Sequence, residues 1–132
     1  MQKIFLEEQF SFDAAHFLEG YQGKCSRLHG HRWTIDVCVS GTQLNHLGLL
    51  MDFQDLAAVV DRVLPDHEFL NELPEFYGVN PTAENLANHF YSRLGQLLPV
   101  GIQIERVRVW ESPTACAYVE RGIDCGHHKR LD

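Results

Sequence analysis

Two stretches of strict alternation, separated by a loop without periodicity, constrain the fold more than any other feature of the chain. From Ile4 to His16 the even positions read Ile, Leu, Glu, Phe, Phe, Ala and His, while the odd ones are mostly polar. That is the period-two pattern of a strand buried on one face, and it puts His16 on the apolar side. A second alternation sets His31, Trp33, Ile35, Val37 and Val39 against Arg32, Thr34, Asp36, Cys38 and Ser40 and ends at Gly41. It predicts a second strand of the same kind. The segment Glu19 to Leu28 between them holds Gly20, Gly23 and charged residues in no period, as expected of an exposed, shaped loop.

The period then changes. Asp52 is placed to cap a helix carrying Phe53, Leu56, Ala57, Val60, Val63 and Leu64 on one face and ended by Pro65. Pro81-Thr82 opens a second amphipathic helix through Leu86, Ala87, Phe90, Leu94, Leu97 and Leu98, stopped near Pro99-Val100-Gly101. Residues 102–111 and 114–120 read as two more strands around Ser112-Pro113. The order ββααββ predicts an α+β domain over residues 1–120, a four-stranded antiparallel sheet with both helices on one face, followed by a polar tail, 121–132. The sheet edges carry no obvious block, so the sheet is expected to continue into neighbouring subunits and close a barrel in a homo-oligomer.

Composition removes several function classes. A chain of 132 residues with 45% apolar and 22% charged residues has room for one core, and neither disorder nor a fibrous repeat is expected. The formal charge of −7 has the wrong sign for a protein that grips a phosphate backbone, so nucleic acid is not expected as a partner. Charge interrupts Met1 to Glu8 too early for a signal-peptide core, and no run reaches the ~18 apolar residues of a membrane span. The expectation is a cytoplasmic protein without a membrane partner. In that compartment the four cysteines, Cys25, Cys38, Cys116 and Cys125, read individually rather than as a disulfide framework. No Gly-rich dinucleotide loop is found.

The unusual count is eight histidines. In His29-Gly30-His31 the two imidazoles lie on one face of an extended chain, ~6.5–7 Å apart, and antiparallel pairing with the first strand can bring His16 to the same place. One histidine on an apolar face is usually a hydrogen-bonded core residue. Three that can converge form the ligand set of a catalytic zinc with one open position. Cys25, beside Lys24 and near Arg27, is the candidate reactive thiol; alternatively it is a fourth ligand that closes a structural zinc site. Asp66-His67 is either an orienting carboxylate–imidazole pair or a polar turn. Glu111 continues an apolar face and needs a partner there, either an Arg or the guanidine-like edge of an amino-pyrimidinone ring. Thr82 and Glu84, at a helix start, offer further ring contacts or plain capping. His46 and His89 read as surface residues, and Cys125, His127 and His128 as tail.

In order and spacing, Phe12-Asp13-Ala14-Ala15-His16, Cys25-Ser26-Arg27-Leu28-His29-Gly30-His31, Met51-Asp52-Phe53, Asp66-His67, Asn80-Pro81-Thr82-Ala83-Glu84 and Trp110-Glu111-Ser112-Pro113-Thr114 resemble the 6-pyruvoyl-tetrahydropterin synthase family. The resemblance covers roughly residues 3–120. The Cys-x3-His-Gly-His spacing is similar to the branch that makes 6-carboxy-5,6,7,8-tetrahydropterin for queuosine and related 7-deazapurines. The resemblance implies a tunnelling fold, trimers that stack into hexamers, and active sites at subunit interfaces. It implies a carbon–carbon lyase that converts 7,8-dihydroneopterin triphosphate to the carboxy-pterin, releasing acetaldehyde and triphosphate. It also implies roles: His16, His29 and His31 hold zinc, Cys25 is the base, Asp66 and His67 relay protons, and Glu111 anchors the pterin with Thr82 and Glu84 nearby. Pro65 stands where the family more often has Leu. The rivals are the pyruvoyl-forming synthase and a non-catalytic zinc protein.

Overall fold

The computed structural model describes residues 2–122; the tail residues Cys125, His127 and His128 lie outside them. Strand β1 runs Ile4–His16 and β2 His29–Gly41, followed by helix α1, Phe53–Asp61, the two-residue strand β3, Glu68–Phe69, helix α2, Ala83–Leu97, and strands β4, Gln103–Ser112, and β5, Ala115–Glu120. The sheet order is β3-β1-β2-β4-β5. The four long strands pair antiparallel as expected.

The sheet therefore has five strands, not four. Beyond α1 the chain returns along the free edge of β1, where the His67 amide donates to the Asp13 carbonyl at 2.6 Å and Glu68 and Phe69 pair in parallel with Ala14 and Ala15. Two residues are too few to show a period in sequence. Helix α1 also stops earlier than expected. Val63 and Leu64 lie in a tightened turn whose amides donate to Val60 at 2.9 and 3.2 Å, since the residue before Pro65 is disfavoured in helical geometry. The caps follow the sequence: Asp52 accepts from the Gln54 amide and Thr82 from the Asn85 amide, each contributing about 1 kcal/mol.

The inward residues of the sheet, Phe12, Trp33, Ile35, Val37, Val39, Val107 and Val109, are buried against Leu56 and Val60 of α1 and Leu86, Ala87, Phe90 and Leu94 of α2. Each large side chain so buried contributes roughly 1.5–3 kcal/mol. Phe12 lies parallel to Trp33 at 6.1 Å and meets Phe90 edge-on at 5.8 Å. The core is thus aromatic at the end of the sheet where His16, His29 and His31 emerge. Among the described residues no helix is long and apolar enough to cross a membrane.

His89 departs from its surface reading. It is half-buried on α2, with Phe76 at 5.5 Å and Phe90 at 5.7 Å between ring centroids, and Glu75 is 3.7 Å from its Nε2. Burial pushes its pKa below the ordinary value near 6.5, the Glu75 charge opposes this, and Arg93 adds to it. A lowered folded-state pKa means that the unfolded chain takes up the proton first. The His89 contribution is therefore complete above about pH 6.5 and lost as pH falls toward the folded pKa. In metal-free protein, His89→Asn is expected to flatten the fall of the urea midpoint between pH 7 and 5; an unchanged profile contradicts this.

Candidate metal centre

The register of β1 on β2 sets His16 opposite His29 and Ala14 opposite His31, so all three imidazoles stand on the helix-covered face at one end of the sheet. Their ring centroids are 4.6 Å (His16–His29), 4.7 Å (His29–His31) and 5.2 Å (His16–His31) apart. Trp33 floors the group at 4.9 Å from His16 and 5.2 Å from His31. Two rings are oriented by the backbone: His16 Nδ1 donates to the Pro81 carbonyl at 2.7 Å and His29 Nδ1 to the Arg27 carbonyl at 2.6 Å. This fixes the tautomer that leaves Nε2 with its lone pair, the usual outer support of a metal-binding histidine.

Among the described residues, the buried Nε2 atoms of His16 and His31 have no hydrogen-bond partner. Burial lowers the pKa of both groups, with the Glu111 charge opposing it. Burial thus favours the neutral imidazole at both, and for His16 the bond to Pro81 leaves the Nε2 lone pair facing the shared space without a partner, a costly arrangement that a cation relieves. The donor set therefore fits a divalent metal of the zinc type.

The sequence did not show where the Glu111 side chain ends. Its Oε2 lies 3.4 Å from His16 Nε2 and 3.2 Å from His31 Nε2, and His16, His29, His31 and Glu111 all offer ligand atoms within 4.8 Å of one another. Cys25 is not in that set. It sits half-buried in a 3-10 turn, Lys24–Ser26, and its carbonyl accepts from the Leu18 amide at 2.6 Å, which ties the loop to the end of β1. Gly23, with φ of 141°, permits the sharp entry to that turn, where a side chain would be strained.

Asp66 and His67 are brought together. His67 Nδ1 is 3.1 Å from Asp66 Oδ2, and Asp66 Oδ1 accepts from the Asp13 amide at 2.9 Å. That backbone donor, followed by His67, holds the exposed Asp66 carboxyl below its usual range. His67 adopts a left-handed backbone, φ 60°, at a cost of order 1 kcal/mol. A shallow depression along β1 and β2 has His67 and His31 among its walls, while Asp66 and His67 cluster with Asp13 rather than with the imidazoles. A cleft of about 670 Å³, of small-ligand size, is lined by His31, Arg32, Trp110 and Glu111 among others.

Thr82 and Glu84 are not brought into the cluster. The Thr82 hydroxyl caps α2, accepting from Asn85 at 3.0 Å, and Glu84 is exposed in the first turn. What α2 supplies is the Pro81 carbonyl. Sequence reading also missed two asparagines: Asn71 bonds both the amide and the carbonyl of Phe17, and Asn80 does the same for Glu19. They act as side-chain substitutes for strand pairing just past His16. An Asn before Pro81 reads only as a turn residue.

The sequence profile described as 6-pyruvoyl tetrahydropterin synthase matches residues 5–122. The chain is 33% identical to the 6-carboxy-5,6,7,8-tetrahydropterin synthase of Haemophilus influenzae over 87% of its own length and 98% of that protein. It is 37% identical to the dihydroneopterin monophosphate aldolase of Pyrococcus furiosus over 76% of its length and 83% of the relative. The fold superposes on that of Caenorhabditis elegans 6-pyruvoyl tetrahydropterin synthase with a TM-score of 0.78 at 26% identity, covering 92% of this chain and 98% of the other. With a match that spans almost every described residue, from strand β1 to the end of β5, the chain belongs to the 6-pyruvoyl tetrahydropterin synthase family.

Proposed function

We propose that the protein converts 7,8-dihydroneopterin triphosphate and one water to 6-carboxy-5,6,7,8-tetrahydropterin, releasing acetaldehyde and triphosphate, at a zinc centre held by His16, His29 and His31. The observation that carries this reading is the convergence of three imidazoles, two of them with buried, unpartnered Nε2 atoms. The name of the Haemophilus relative supports the choice of product. Bound zinc supplies a Lewis acid that polarises side-chain hydroxyls of the substrate and acidifies the neighbouring C–H.

The remaining roles belong to the chain. The Cys25 thiolate takes a proton from the side chain of the substrate, and His67, its tautomer held by Asp66, returns one on the other side. Glu111 accepts the paired N–H groups of the pterin edge, with Thr82 and Glu84 as outer contacts. Subunits joined through their sheet edges, as a trimer or hexamer in the cytoplasm, complete the walls of the site.

Incubating the zinc-loaded protein with 7,8-dihydroneopterin triphosphate is expected to release acetaldehyde and triphosphate in equal amounts. Triphosphate without acetaldehyde contradicts the proposal and favours the pyruvoyl product. Aldol cleavage, named for the Pyrococcus relative, is the second reading. It leaves a shortened dihydropterin rather than the carboxy-pterin, and the same incubation separates the two by mass.

A further inference from the structure

We propose that Glu111 is itself a metal ligand in the substrate-free protein, closing the position that three histidines leave open, and that it gives up this place when substrate oxygens arrive. The inference rests on the metal-centre reading above and adds a resident fourth donor to it.

Three observations lead there. The first is electronic. Because the Pro81 carbonyl takes the Nδ1 proton of His16, the His16 Nε2 presents a lone pair, yet a carboxylate oxygen lies 3.4 Å away. Two electron-rich atoms facing one another at that distance repel unless positive charge sits between them. For His16, whose Nδ1 already holds the proton, Nε2 makes no hydrogen bond, so a bridging proton does not account for its approach to the carboxylate; the His31 contact carries less weight, since a hydrogen bond to Glu111 contributes to the His31 pKa.

The second is metric. Bonds of ~2.0–2.2 Å in a tetrahedral zinc shell place neighbouring donor atoms ~3.3–3.6 Å apart. Glu111 Oε2 stands 3.4 Å from His16 Nε2 and 3.2 Å from His31 Nε2, close to the separation of atoms sharing one ion.

The third is how the strand aims the side chain. The β4–β5 register shifts between Trp110, opposite Cys116, and Ser112, opposite Ala115, leaving Glu111 without a cross-strand partner. Such a bulge redirects a side chain relative to the regular pleat. Here it turns the carboxylate toward the imidazoles, while the partly exposed side chain also lines the open cleft. From that position one carboxylate can serve either the ion or a ring edge in the cleft. Substrate binding then exchanges one occupant for the other, and the resting ion is screened from stray anions.

The test uses the full-length protein loaded with Co2+ as a spectroscopic probe. With a carboxylate in the fourth position there is no bound water to ionise, so the visible spectrum of the wild type is expected to hold constant from pH 6 to 9. In Glu111→Gln, water enters, its pKa falls toward neutrality on the metal, and the spectrum is expected to titrate. Chelator competition should show roughly tenfold or weaker binding in the variant. A wild-type spectrum that titrates like the variant, with affinities equal within twofold, overturns the ligand role and leaves the three-histidine centre intact. If the wild type binds no Co2+, both readings fall. The wild-type pH series needs no variant, so it decides the matter even if Glu111→Gln folds poorly.

Discussion

His16→Ala is expected to remove the metal and, with it, all measurable turnover. His16 is 1% exposed; its ring stands over Trp33, donates to Pro81 at the start of α2, and in the proposed centre would supply one of three imidazole donors. Alanine deletes the donor, leaves a void beside the indole and strands a buried carbonyl. The last two effects cost about 1–3 kcal/mol each in metal-free protein. Loss of the ion removes a further linked stabilisation, about 4 kcal/mol when free metal stands at a thousand times its dissociation constant. His29→Ala provides the contrast. His29 is half-exposed, and its Nδ1 contact to Arg27 lies at the surface, so it should lose the metal with little loss of metal-free stability. Metal content per chain and melting with and without zinc measure both effects. A His16→Ala protein that keeps one equivalent of zinc contradicts the assignment of the site.

The histidine cluster was legible because a single physical rule carries it. Period-two alternation fixes which face each residue occupies, and strands joined by one loop pair antiparallel, so His16, His29 and His31 had to share a face. The same rule found the sheet side of the core and put Glu111 on that face. It could not say where the Glu111 carboxylate ends, because a bulge between Trp110 and Ser112 leaves no mark in hydrophobic periodicity. The features that escaped are those made by single contacts across long separations. β3 is two residues of pairing imposed by the His67 amide on Asp13, and Asn71 and Asn80 act on a segment more than fifty residues earlier. His89 reads as a surface residue in the sequence because Phe76, which covers it, comes from an irregular stretch with no period of its own.

Cys25→Ala is expected to separate chemistry from metal binding. If the thiol is the proton-abstracting base, alanine removes a group that acts only during turnover, and kcat should fall by about 10²–10⁴-fold. Zinc should stay at one equivalent, because among the described residues the ligand atoms that cluster at this site belong to His16, His29, His31 and Glu111, without Cys25. Stability should change by no more than about 0.5 kcal/mol, since the side chain is only partly buried and the loop is tied by its carbonyl to Leu18, a bond that alanine keeps. Cys25→Ser keeps a hydroxyl in place but not a thiolate near neutral pH, and should lie close to alanine rather than to the wild type. The outcome that reverses this picture is specific. If Cys25→Ala loses zinc and melts lower while His29→Ala keeps it, the sulfur holds the fourth vertex. The site is then a closed structural one, and a proton-transfer role for this loop has no chemical basis.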